Sequence, residues 1–156
     1  TPSLFEQFPT PLAFSEASLS AIKEAIKSIN FFNNKALNIQ KTAHILRDQN
    51  GIPKTLEGLT ELPGVGRKTA NVVLGQAFGV PGITVDTHVK RLSNRLGFTT
   101  KSDPEKIESD LMRLWAPSMW IEVSTVLILH GRATCKARKP QCTGCPIRNY
   151  CPYPSR

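Results

Sequence analysis

Residues Leu62 to Ala70 read LPGVGRKTA and bring two kinds of chemistry together. Gly64 and Gly66 let the backbone turn a tight corner with no Cβ in the way. The apolar helical pattern that follows opens at Arg67 with N–H groups that no intrahelical carbonyl satisfies, a seat for a phosphate. Lys68 stands on that helix just past the seat. A phosphate-holding corner with a primary amine behind it implies the handling of DNA, with amine chemistry as a further option. The same residues also suit a plain helix–helix turn carrying a solvated lysine, and spacing alone leaves both open.

The second reactive group is a run of thiols, Cys135-x6-Cys142-x2-Cys145-x5-Cys151. Four thiolates in so short a loop can enclose a tetrahedral zinc or a [4Fe–4S] cluster. Zinc motifs usually use two Cys-x2-Cys pairs and only one is present, which favours iron–sulfur; two disulfides are the third option. No cysteine lies upstream, whereas secreted proteins spread their bridges through the fold. A local metal or iron–sulfur site in a reducing compartment is therefore expected. Lys136, Arg138 and Lys139 lie between the first two cysteines, so the loop presents positive charge to a phosphate.

Composition narrows the partner. The 156 residues carry a formal net charge of +8, with pI near 9.6, which favours a polyanion. Nucleic acid leads over an acidic membrane surface, because no basic amphipathic helix stands out. No apolar run is long enough to span a membrane, and no signal peptide is expected. The first residue is Thr1 rather than methionine, so either a natural start was removed or the sequence begins inside a longer protein. A hydrophobic fraction of 40% permits one domain, or one with a small satellite.

Helices must position these groups. Residues 1–14 read as a connecting segment with a helical turn about Leu4 to Phe8. Ser15 or Ser18 caps a helix with Leu19, Ile22, Ile26 and Ile29 on one face, ended by Asn30. Phe31 to Asn34 form a corner, and Asn34 caps a helix that runs to about Gln49 and stops at Asn50-Gly51. Its apolar face uses Ala36, Leu37, Ile39, Ala43 and Leu46. Phe32 is expected in the core; Phe31 either joins it or wedges into DNA. A short helix follows Pro53, then the corner, then a helix from Arg67 to Phe78 that buries Ala70, Val73, Leu74 and Ala77 and keeps Gly75 for close packing. Ile83 to Val85 form a β-like run too brief for a sheet. Asp86 or Thr87 caps a helix to Leu96, with Gly97 after it. Ser102 or Asp103 caps another, with Pro104 at its start and Ile107, Leu111, Leu114 and Trp115 apolar. The last, opening at Pro117-Ser118, carries Ile121, Val123, Val126, Leu127 and Leu129 and ends at His130-Gly131. Beyond Thr134 the chain is too poor in aliphatics to build a core, and a cofactor must hold it. The expected fold is all-α.

Four stretches taken together resemble the endonuclease III family of helix-hairpin-helix DNA glycosylases: LPGVGRKTANVVL, VDTHVKRLSNRLG, LILHGR and the cysteine spacing. The likeness runs almost end to end. It implies a helical barrel domain over 1–116, with its helix-hairpin-helix at about 54–78. It also implies a cluster domain over 117–156, with a helix at 118–131 and an iron–sulfur loop at 135–151. By this resemblance Lys68 is the nucleophile and Asp86 the second catalytic group. Pro63, Gly64, Val65, Gly66 and Arg67 form the DNA-gripping turn, whose carbonyls also hold a monovalent cation. Phe31 takes the place of a residue inserted into the DNA stack, and the four cysteines hold a [4Fe–4S] cluster.

The implied activity is bifunctional: removal of oxidised pyrimidines from duplex DNA, then cutting at the abasic site through a lysine Schiff base and β-elimination. Asp86 fits this as a group that stabilises positive charge at C1′ or assists proton transfer, and as a helix cap. His88 and His130 are expected to be structural. Two departures stand out. Asn30 replaces a common glycine, with asparagine still tolerating a left-handed backbone, and Phe31 is bulkier than the usual aliphatic residue. The family also carries an N-terminal segment of two helices ahead of the place of Thr1, which nothing here matches. The alternatives are a mismatch adenine or thymine glycosylase, disfavoured by Lys68 and by the stop at Arg156, and a non-catalytic DNA-binding scaffold. The expected partner is damaged duplex DNA, met by a monomer with no membrane. The expected place is the bacterial or archaeal cytoplasm, at the chromosome, or the nucleus or mitochondrion of a eukaryote.

Overall fold

Five helices begin at a Thr, Ser or Asp whose side chain accepts a hydrogen bond from the first turn: Thr10, Ser18, Thr55, Asp86 and Asp103. These short polar side chains satisfy N–H groups that a helix cannot satisfy itself. The computed structural model describes residues 2–49 and 51–153. No strand occurs among the described residues, and no helix there is long and apolar enough to cross a membrane. Packing divides the chain into two units, Thr1–Ala70 and Asn71–Arg156.

The first unit contains α1 (Pro2–Gln7), α2 (Pro11–Glu16), α3 (Leu19–Ala25), α4 (Phe32–Asp48), α5 (Leu56–Thr60) and the start of α6 (Arg67–Phe78). Its core gathers Phe8, Ile22, Ile26 and Ala36, with Phe14 and Phe32 packed against them. Ala36 and Ala43 on α4 are buried and small. Gln40 donates to the Ala17 carbonyl at 2.8 Å.

Several boundaries differ from the expected ones. The proline-rich opening is not only a connector: Thr10 accepts from Ala13 N at 3.1 Å and Pro11 takes the first position of α2, where a missing N–H costs nothing. α3 ends at Ala25, so Ile29 falls outside it and is exposed. α4 starts at Phe32, and Asn34 lies within its first turn rather than capping it. The left-handed residue at this corner is Phe31, with φ 59° and ψ 31°, not Asn30. Leu37 is exposed rather than on the buried face. Asn50, expected to help stop α4, lies outside the described residues, as do 154–156 at the end of the expected cluster domain.

The second unit contains the rest of α6, α7 (Thr87–Arg95), α8 (Pro104–Leu114), a 3₁₀ turn at Pro117–Met119, α9 (Trp120–Ala133) and a 3₁₀ turn at Arg148–Tyr150. Ile83, Val85, Val89, Leu92, Ile107, Leu111 and Leu127 make its core. α6 has the expected bounds, but Ala77 is exposed; Gly75 does sit where a Cβ would come within 3.3 Å of Ile121. Gly97, at φ 78°, closes α7 in the left-handed conformation that favours glycine, with Phe98 N bonded to Ser93 O at 2.8 Å. Leu114, Val126 and Leu129 are exposed, contrary to the apolar faces expected for α8 and α9.

α9 begins two residues later than expected and runs on to Ala133, so His130-Gly131 does not stop it. Gly131 serves packing instead. It is buried against α7, where a Cβ would meet His88 Cβ and Nδ1, each at 3.0 Å, and an Arg91 terminal nitrogen at 3.1 Å. Gly131→Ala is expected to lower stability by about 1–3 kcal/mol through overpacking. The measurement is the urea midpoint at unchanged slope; an unmoved midpoint would mean that α7 and α9 yield without cost.

Candidate functional site

The corner between α5 and α6 is built by two residues of α4, Asn38 and Thr42, and the turn itself. Val65 N bonds to Leu62 O at 3.0 Å, and Thr42 Oγ1 donates to Pro63 O at 3.1 Å. Gly64 has φ 79°, and a Cβ there would come within 2.6 Å of Asn38 Nδ2. Glycine is required at 64 on both counts. Gly66 is different. Its φ is ordinary, and a Cβ would meet nothing within 4 Å. Its value is the bare backbone it leaves on the outside of the turn. Gly66 also precedes α6, and its carbonyl accepts from Ala70 N at 3.0 Å. A glycine here brings no capping side chain, so the start of α6 keeps its positive end for an outside anion. Val65 is half-buried, while Arg67 and Lys68 are exposed on the first turn of α6.

Asp86 stands at the head of α7, half-buried. Its Oδ1 accepts from His88 N and Val89 N, each at 2.8 Å. The expected cap is therefore Asp86 and not Thr87. Both bonds fall on one oxygen, which leaves Oδ2 with no hydrogen bond among the described residues. The carboxylate is held in a fixed orientation with one oxygen uncommitted.

Phe31 is 79% exposed, on a left-handed backbone that costs a bulky residue about 1 kcal/mol or more. Phe32 packs into the core as expected. A strained, exposed aromatic ring beside a packed one is the arrangement a wedge requires.

The four cysteines line a single cavity of about 210 Å³, with His130 and Arg148 also on its wall. All four are free thiols. Tetrahedral zinc, with Zn–S bonds of about 2.3 Å, would draw its sulfurs to about 3.8 Å from one another. The surroundings of the thiols suit anionic sulfur: an Arg95 terminal nitrogen donates to Cys135 Sγ at 3.2 Å, and His130 Nε2 lies 3.6 Å from Cys145 Sγ.

Two arginines were missed by sequence reasoning. Arg91 and Arg95, four apart on one face of α7, latch the start of the cysteine loop. Arg91 donates to the carbonyls of Gly131 and Cys135 at 3.0 and 2.9 Å. Arg95 donates to the carbonyls of Lys136 and Ala137 at 2.9 and 3.0 Å and lies over the Tyr153 ring, 4.5 Å from its centroid. The available signal was their spacing in VDTHVKRLSNRLG. Lys136, Arg138 and Lys139 are exposed, with Lys139 left-handed at φ 52°. His88 Nδ1 lies 3.2 Å from Arg91, in the structural role expected for it. His130, also expected to be structural, lines the cavity beside Cys145.

Known proteins share these features. Residues 1–117 match the family of HhH-GPD superfamily base excision DNA repair proteins, and residues 135–151 match the iron–sulfur binding domain of endonuclease III. Endonuclease III of Synechocystis sp. is 50% identical over 155 residues, covering 97% of this chain and 71% of that protein. That of Rickettsia conorii is 46% identical, covering 98% and 74%. A trapped covalent endonuclease III–DNA intermediate superposes with a TM-score of 0.93 at 43% identity, over 97% of this chain and 73% of the other.

The two glycines of the corner are expected to fail differently. Gly64→Ala strains the backbone and strikes Asn38, so it should lower thermal stability along with DNA affinity. Gly66→Ala should keep its stability and lose affinity about 10-fold, most visibly at low salt. Equal stability losses in both would show that the open face of Gly66 has no part in binding. The purified protein should carry about four iron and four inorganic sulfide per chain and no zinc; Cys142→Ser should lose them. Zinc in place of iron would overturn the reading of the cavity.

Proposed function

Since the chain belongs to the HhH-GPD superfamily of base excision DNA repair proteins, we propose that Lys68 and Asp86 are its catalytic pair. The activity is that of a DNA glycosylase and abasic-site lyase acting on oxidised pyrimidines in duplex DNA. The observation that carries this reading is the corner at 63–68. Gly66, with open space where a Cβ would stand, leads into α6, whose first turn carries an exposed primary amine at Lys68.

In the reaction the Lys68 amine, in its neutral form, attacks C1′ of the damaged nucleotide. The glycosidic bond breaks and its electron pair leaves with the base. The Asp86 carboxylate, held by two N–H groups through Oδ1, stabilises the positive charge that grows at C1′. The attached nitrogen loses a proton, and the C1′–O4′ bond then opens, its electron pair going to O4′, which takes up a proton, to give an iminium; this draws electrons as a proton leaves C2′, and the 3′ phosphate departs by β-elimination. Hydrolysis then frees the amine. The lesion must first leave the helix, at a cost of a few kcal/mol that is least for a damaged pair. Phe31 fills the space it vacates.

The protein carries an iron–sulfur cluster. We assign it as [4Fe–4S], held by Cys135, Cys142, Cys145 and Cys151. Its contribution is structural: it orders a loop that has little core of its own. That order presents Lys136, Arg138 and Lys139 to the phosphates. By the family resemblance, the carbonyls of the corner at Pro63 to Gly66 would hold a monovalent cation. By motif, residues 1–116 act as the lesion-handling part and residues 117–156 as the cluster part, a partition supported by the extents of the two family matches. The bacterial relatives support a protein that works on DNA; a cytoplasmic location at the chromosome and a monomeric state belong to the same proposal.

Borohydride trapping on abasic-site DNA tests the pair. The parent protein should give a covalent adduct and Lys68→Ala none. Asp86→Asn should excise an oxidised pyrimidine about 100-fold more slowly or worse. An adduct of normal yield in Lys68→Ala would remove the amine from the mechanism.

A further inference from the structure

The segment that leads into Asp86 is buried with no sheet to pair with. Ile83, Thr84 and Val85 are each at most 9% exposed and lie outside any helix or strand. Backbone groups buried in this way need partners, and two side chains from different helices supply them. Asn71 on α6 donates Nδ2 to the Ile83 carbonyl at 3.2 Å. Ser124 on α9 accepts from Thr84 N at 2.9 Å and donates to the Trp120 carbonyl at 3.0 Å. Both side chains are nearly inaccessible, Asn71 at 7% and Ser124 at 4%. The orientation of the Asn71 amide is fixed, because Nδ2 also meets Glu108 Oε1 at 3.3 Å. Gly82 rests on the same amide, where a Cβ would come within 3.4 Å of Asn71 Oδ1.

We infer that Asn71 and Ser124 are positioning residues for Asp86, clamping the strap whose end places the carboxylate. The inference rests on the catalytic reading of Asp86. Asp86 is three residues past the carbonyl held by Asn71 and two past the N–H held by Ser124. The two clamps therefore grip one peptide unit, Ile83–Thr84, from both its carbonyl and its N–H, and slack in either passes directly to the head of α7. The cap bonds from His88 N and Val89 N orient the carboxylate relative to α7; the clamps set where that whole assembly sits. Catalytic geometry is unforgiving, with a displacement of about 1 Å costing about 100-fold in rate.

The test compares two rates in cluster-loaded protein. One is single-turnover excision from a duplex holding one thymine glycol, and the other is borohydride trapping on a preformed abasic site. Excision must expel a base; trapping need not. Asp86→Asn should slow excision more than trapping and so lower their ratio. Asn71→Ala and Ser124→Ala are expected to lower the same ratio, with excision down about 10- to 100-fold. Ser124→Thr keeps the hydroxyl, and a neighbouring cavity of about 190 Å³ has room for its methyl, so it should restore the ratio. If Asn71→Ala does not fold, the two Ser124 variants decide.

A merely structural role would depress excision and trapping together, in step with the folded fraction, and leave the ratio at the parent value. That result overturns the inference while Asp86 keeps its role. If Asp86→Asn itself leaves the ratio unmoved, the catalytic reading of Asp86 fails, and the inference falls with it.

Discussion

A helix preceded by glycine has no capping side chain at that position, and Gly66 precedes α6. Five other helices are closed at their heads by Thr, Ser or Asp. The contrast gives the corner at 63–66 its meaning. A capped helix start is neutralised within the protein, whereas one left to glycine keeps its partial positive charge for whatever approaches. Gly64 makes the turn possible and Gly66 keeps it bare. The two glycines, alike in the sequence, stand in different surroundings: one is held by backbone conformation and Asn38, the other has open space where a Cβ would stand.

α7 carries the other half of the structure. Its head is the Asp86 carboxylate and its middle packs on Gly131 of α9. Its later turns present Arg91 and Arg95 to the opening of the cysteine loop. Removing a side chain at Gly131 is what lets α7 and α9 come close enough for Arg91 to reach the carbonyls of both Gly131 and Cys135. One short helix thus sets a candidate catalytic group and anchors the ligand loop. A substitution in its packed face would therefore be felt at both ends.

Much of this was legible in the sequence. α6 has the bounds that its periodicity and flanking glycines imply, and Asp103 followed by Pro104 marks a helix start in the usual way. What escaped had physical causes. α2 hid behind Pro11, because proline reads as a breaker although it is at ease in a first turn. The extension of α9 past Gly131 was hidden because glycine at the end of an apolar run looks like a stop, and only the neighbouring helix reveals it as a packing residue. The left-handed Phe31 was assigned to Asn30, the residue whose chemistry allows it; the turn took the strained option. Leu114, Val126 and Leu129 fit an apolar pattern yet lie exposed, since periodicity says which face is greasy and not whether anything covers it.

The cysteine loop shows why residue type and spacing were sufficient there when they failed elsewhere. A segment with few aliphatic side chains has no packing alternatives to choose among, so its conformation is set by its ligands and by the arginines that hold its backbone carbonyls. The thiols must converge, and they do, around one cavity. The strap at 82–85 is the opposite case. Its apolar side chains could pack in many registers, and only Asn71 and Ser124, far apart in sequence, select the one that delivers Asp86. Pairings of that kind leave no local pattern. They emerge only when each buried N–H and carbonyl is followed to its partner.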